Sequence, residues 1–88
     1  IGSAPDNVVD QFSIAMSNLD GALTAAGGRP EHIVKVTLFL TDINDRTLIN
    51  PIRQEYFGEH RPASTLVEVS ALVTPQLKVE IEAEAVIG

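Results

Sequence analysis

Two hydrophobic periods divide the chain. From Val8 or Val9, apolar residues recur every three or four positions at Phe12, Met16, Leu19 and Leu23, with Ala15, Ala22 and Ala26 beside them. This is the spacing of one helical face. Asp10, Ser13, Asn18 and Asp20 fall mostly elsewhere on the wheel. Ser3 to Asp6 has the spacing of a capping box, with Pro5 suited to a first turn. Gly27, Gly28 and Pro30 stop the pattern. A helix over 5–26 is predicted. The period then drops to two. In "HIVKVTLFLTD", Val34, Val36, Leu38 and Leu40 are expected on one face, and Ile33, Lys35, Thr37, Phe39 and Thr41 on the other. The all-aliphatic side is expected to pack on helices, which leaves Phe39 on the face away from them.

Helical spacing returns in "DINDRTLINPIRQEYFGEH". Pro51 argues against one smooth helix. The pattern predicts a turn near 44–48, Asn50 as N-cap, Pro51 at the first position, and a helix to about Phe57, ended by Gly58. Two strands are predicted at about 64–71 and 77–87. In the first, Thr65, Val67 and Val69 oppose Leu66, Glu68 and Ser70; in the second, Glu80, Glu82 and Glu84 share a face. The order α-β-α-β-β is that of an α+β sheet with two helices on one face.

Length and charge narrow the function classes. The chain has 88 residues and no cysteine, so it forms one small domain, 1–88, without disulfide staples. Cysteine-based zinc sites and thiol catalysis are excluded. Absence of cysteine fits a reducing cytoplasm. The net charge of −6 argues against nucleic acid as a partner. No apolar run approaches the ~20 residues of a membrane-spanning helix. His32 and His60 stand far apart in sequence, so no metal is expected. "AAGGRP" follows a helix rather than preceding one, and reads as a C-cap rather than a phosphate loop.

The segments "IVKVTLFLTDIND", "YFGEHRPASTLVEVSAL" and "KVEIEAEAV", together with "LDGALTAAGG", resemble the RidA/YjgF family along nearly the whole chain. The more specific signal is the pair P-A-x-[ST]-x-V-E-V and [IV]-E-I-E-A. The resemblance implies a chorismate-mutase-like mixed β-sheet with two helices packed on one face. It also implies strands before the first helix that this sequence does not contain, and the chain, which opens at Ile1, reads as N-terminally truncated. Three subunits are expected to join through their sheet faces as a homotrimer. Phe39 and Leu66, placed on the face away from the helices, would each contribute about 1.5–3 kcal/mol on burial there.

Many members of the family hydrolyse reactive enamines and imines to keto compounds and ammonia without a cofactor. By resemblance, a small-molecule ligand occupies a cleft between subunits. Glu82 matches the family's water-side catalytic group, and Asn50 matches the asparagine of its second helix. Leu66 stands at a small ligand-side position. The family's carboxylate-binding arginine position is Ser64. A neutral hydrogen bond contributes about 1 kcal/mol and a charged one about 1.5–3. The cleft is therefore expected to take an altered, less acidic substrate, and Ser64→Arg to raise deaminase efficiency about tenfold or more. Arg61 is three residues away, an odd offset that would point it to the other face of a continuous strand. Two functions follow: an enamine/imine deaminase, or alternatively a non-catalytic trimeric module that binds a small molecule. Without the resemblance, Glu80, Glu82 and Glu84 read as a solvated acidic face.

Overall fold

The structure, a computed structural model, describes residues 7–87. Helix α1 spans Val8–Ala25, strand β1 Ile33–Leu40, helix α2 Arg46–Phe57, β2 Ala63–Glu68 and β3 Val79–Ala85. Short 3-10 turns, Pro30–His32 and Ile43–Asp45, precede β1 and α2. The three-stranded sheet has the order β2-β1-β3. β1 runs parallel to β2, across the α2 crossover, and antiparallel to β3. Both helices lie on one face.

Asn7 caps α1, its side chain accepting a hydrogen bond from the Asp10 backbone N–H at 2.8 Å; the capping box expected at Ser3–Asp6 lies outside the described residues. At the other end, Gly28 N–H donates to Leu23 O and Gly27 N–H to Thr24 O, each at 2.9 Å. Gly27 takes φ +83°, so the expected glycine stop is a Schellman motif. Phe12, Leu38, Leu40 and Ile49 are fully buried between the helices and the sheet. Each contributes roughly 1.5–3 kcal/mol by leaving water. The one buried polar side chain among the described residues, Gln11, ties the core to the last strand. Its Nε2 donates to Gln76 O at 2.8 Å, and its Oε1 accepts from Lys78 N at 2.7 Å. Those bonds fix where β3 enters.

Three sequence expectations fail locally. First, α2 begins at Arg46 with Asp45 as N-cap, and Pro51 lies inside it. Asn50 is therefore a helical residue and caps nothing. Proline here removes only one intrahelical bond, and the apolar residues Ile49, Ile52, Tyr56 and Phe57 pack on the core across it, which offsets the ~3 kcal/mol cost. Second, the β1–β3 register shifts between Ile33 and Lys35. That bulge turns Ile33 inward and leaves Val34 46% exposed, the reverse of simple alternation.

Third, Leu66 lies on the helix side. Leu38 pairs with Leu66 in β2 and with Ile81 in β3, and paired residues share a face. Leu66 packs on the core. Ser64 and Glu68, paired with Val36 and Leu40, share that side. Thr65 and Val67 stand opposite with Thr37 and Phe39. Glu68 thus has a use on its apolar-side face. Its Oε1 accepts from the Ile43 backbone N–H at 2.8 Å and holds the turn that leads from β1 into α2.

Candidate functional site

The residues singled out in the sequence fall into two places. On the open face, Thr37 pairs with Glu82, Phe39 with Glu80 and Lys35 with Glu84. All three glutamates are solvent-exposed in the single chain, so their shared face is as expected. A shallow cavity of about 130 Å³ lies there, bounded by Lys35, Thr37, Glu82 and Glu84. Lys35 supplies the cation beside two carboxylates, those of Glu82 and Glu84.

The second place is on the helix side, at the start of β2. A cavity of about 80 Å³ has Val36 and Phe57 as its apolar floor and Arg53, His60, Arg61 and Ser64 around it. The Arg53 Nη1 donates to the Ser64 Oγ at 2.5 Å. His60 Nε2 donates to the Ile33 carbonyl, 2.6 Å away, beside the β1 bulge. Arg61 lies before β2 begins, in non-strand backbone, so the alternation argument does not govern it. Its Nη1 turns back to the carbonyls of Gly58 and His60, and the guanidinium borders the same cavity as Ser64.

Leu66 packs into the core two residues further along β2 and does not border this cavity. Asn50 sits one turn before Arg53, and residues three apart share a helix side; its amide has no partner among the described residues. The residue that sequence reasoning missed is Arg53. A signal existed in its i+3 relation to Asn50, but only the β1-α2-β2 crossover sets that side of α2 against Ser64.

Glu82 and Ser64 do not meet within one chain. They lie on opposite sheet faces, and β2 and β3 are separated by β1, roughly 10 Å at ordinary strand spacing. β2 is also an exposed edge strand, with Leu66 its one half-buried residue. Among the described residues no three His, Asp or Glu side chains group as metal ligands, and no helix is long and apolar enough to cross a membrane.

Comparisons with known proteins agree with this architecture. The chain is 38% identical over 88 residues to an Escherichia coli 2-iminobutanoate/2-iminopropanoate deaminase, covering 97% of this chain and 68% of that protein. It is 39% identical over 84 residues to the Capra hircus protein of the same name, covering 96% of this chain and 61% of the relative. A crystal structure of E. coli TdcF with bound serine superposes with a TM-score of 0.89 at 37% identity, covering 99% of this chain and 70% of that one. The chain thus spans about two thirds of the length of these relatives. The family model described as Endoribonuclease L-PSP matches residues 2–87, and the chain belongs to this family, the RidA/YjgF family.

Proposed function

We propose that this protein hydrolyses small reactive enamines or imines to keto compounds and ammonia, in clefts formed between copies of the chain in a cytoplasmic homotrimer. The observation that carries the reading is the separation of Glu82 from Ser64 onto opposite sheet faces. A substrate that touches both positions needs two chains, Glu82 from one and the β2 edge from another. The relatives named as 2-iminobutanoate/2-iminopropanoate deaminases supply the reaction class. In the cleft, the Glu82 carboxylate accepts a proton from water as the water oxygen adds to the imine carbon, and returns it to the nitrogen to give the carbinolamine. Glu82 then takes the carbinolamine hydroxyl proton and passes it to the amine as the C–N bond breaks, releasing ammonia and the keto product. Asn50 and Ser64 contact the substrate; Ser64, where the family has arginine, changes how it is held. Leu66, packed in the core beneath, shapes the wall rather than touching the ligand.

The description of the family as endoribonuclease fits this chain less well. Glu80, Glu82 and Glu84 make the open face acidic, which repels a phosphate backbone. The second reading, a non-catalytic trimeric binding module, is favoured by Ser64. Hydrolysis of freshly generated 2-iminopropanoate, followed by keto-acid release, separates the two. Turnover above the buffer rate that disappears in Glu82→Gln supports the enzyme. Ligand binding without turnover supports the module.

A further inference from the structure

We infer that Arg53, delivered from α2 onto Ser64, is the carboxylate-binding and specificity-determining residue of this protein. The inference rests on the proposed location of the ligand cleft at the β2 edge, and on three observations. First, Arg53 and Arg61 bring two guanidinium groups to one small cavity in a chain of net charge −6. The one ion pair among the described residues is Arg29 with Glu31, at 3.5 Å. Neither Arg53 nor Arg61 has a carboxylate partner there, so the cavity holds positive charge that no described residue neutralises.

Second, the Ser64 hydroxyl accepts from Arg53 Nη1 at 2.5 Å. The Arg53 side chain is thereby fixed through one nitrogen, and the other edge of its planar fork stays available. A guanidinium presents five donors, of which serine occupies one. The free edge matches the two oxygens of a carboxylate. Serine at 64 is small enough to admit a guanidinium from the helix and polar enough to hold it. The charge thus comes from α2 rather than from the strand.

Third, the surroundings select a small anion. The cavity is about 80 Å³ with Val36 and Phe57 as its floor, which suits the carboxylate and short carbon stem of a small acid. Arg61 stands at the rim with one nitrogen on the carbonyls of Gly58 and His60. His60 spends its Nε2–H on the Ile33 carbonyl and acts as a wall. Arg61 adds long-range attraction, and Arg53 makes the paired contact. Against the less acidic substrate expected from Ser64 alone, the expected ligand class is the small 2-imino or 2-keto monocarboxylate, and the uncharged relatives of those acids are expected to bind poorly.

The test is binding rather than turnover. Pyruvate and the uncharged pyruvamide are titrated into the 15N-labelled protein, and amide shifts at Ser64 and around α2 are followed. Pyruvate should bind, and pyruvamide should bind at least about tenfold more weakly. Arg53→Met should weaken pyruvate about tenfold or more and leave pyruvamide unchanged, while Arg53→Lys, which keeps charge without the fork, should fall between. Arg61→Met should cost less than Arg53→Met. Ser64→Ala, a milder change, should weaken pyruvate by a smaller factor, so the inference stays testable should Arg53→Met fold poorly. Equal affinity for pyruvate and pyruvamide, or pyruvate binding indifferent to Arg53→Met, would overturn the inference. Hydrolysis does not enter this readout. A chain that binds pyruvate through Arg53 but turns over no imine refutes the proposed reaction alone; one that hydrolyses imines regardless of Arg53 refutes this inference alone.

Discussion

The two faces of the sheet are built from different residues and show opposite physics. On the helix side, Val36, Leu38 and Leu40 are at or near zero exposure, closed over by Phe12, Met16, Ile49 and Phe57. On the open side, Phe39 and Thr37 are half-buried by their neighbours alone, and Val34 and Val67 are 46% and 36% exposed. The helix side gains its stability within the chain. The open side has apolar groups with no described element packed over them, interleaved with the Glu80, Glu82 and Glu84 carboxylates. A face that serves only solvation would not keep Phe39. A face that serves only stability would not keep three glutamates. The mixture fits a surface completed by other copies and used for chemistry at its margin.

The sharpest way to break this comparison is at Glu82. On the open face its carboxylate supports no part of the fold, so Glu82→Gln should leave thermal stability within about 0.5 kcal/mol. If it is the water-side group, hydrolysis of 2-iminopropanoate should fall by about 10²–10⁴-fold. Unchanged turnover would remove chemistry from the open face. The converse change is Leu38→Ala on the helix side. It deletes fully buried volume and should destabilise the chain by about 2–5 kcal/mol in urea unfolding.

Adjacent in sequence but opposite in face, Phe39 should behave differently. Phe39→Asp should barely alter the secondary structure seen by circular dichroism, yet convert the proposed trimer to single chains in sedimentation at micromolar concentration. A single-chain mass for the unaltered protein would defeat the proposed trimer. Smaller effects belong to the polar bonds of the helix side. Glu68→Ala removes the acceptor for Ile43 N–H and should cost about 1 kcal/mol.

Tyr56 offers a pH test on the same side. Its hydroxyl donates to Asp20 Oδ1 at 2.9 Å. Burial first, then the Asp20 hydrogen bond and charge, push its pKa up to about 12. A raised folded pKa means that the folded state holds the proton more tightly than the unfolded chain. The stabilisation is therefore complete below about pH 10 and is lost as pH rises from there through 12. Tyr56→Phe should flatten that part of the stability profile and lower stability slightly at neutral pH.

Much of the candidate site was legible in the sequence. Glu80, Glu82 and Glu84 share a face because a strand has a period of two and nothing interrupts β3. Leu66 lies on the face opposite to the expected one for a related reason. Alternation says which residues of one strand go together, but not which of its two sets faces the helices; the Leu38–Leu66 pairing decides that. Val34 departs from alternation because a bulge inserts a residue that alternation cannot anticipate. Proline favours a helix start, which makes Asn50 resemble a cap, but the packing of Ile49 and Ile52 around it outweighs the local preference.

The sequence by itself determined the number, order and type of the elements, since periodicity and punctuation are local and each element buries one face. It also determined the family, because the motifs around Ser64 and Glu82 are contiguous strings. Only the tertiary structure decided which side of the sheet each of these residues occupies, and that Glu82 and Ser64 cannot share a ligand within one chain. It alone brought Arg53 to Ser64. Those facts depend on strand pairing and on the α2 crossover, and contacts between residues of different elements are set by packing rather than by their spacing along the chain.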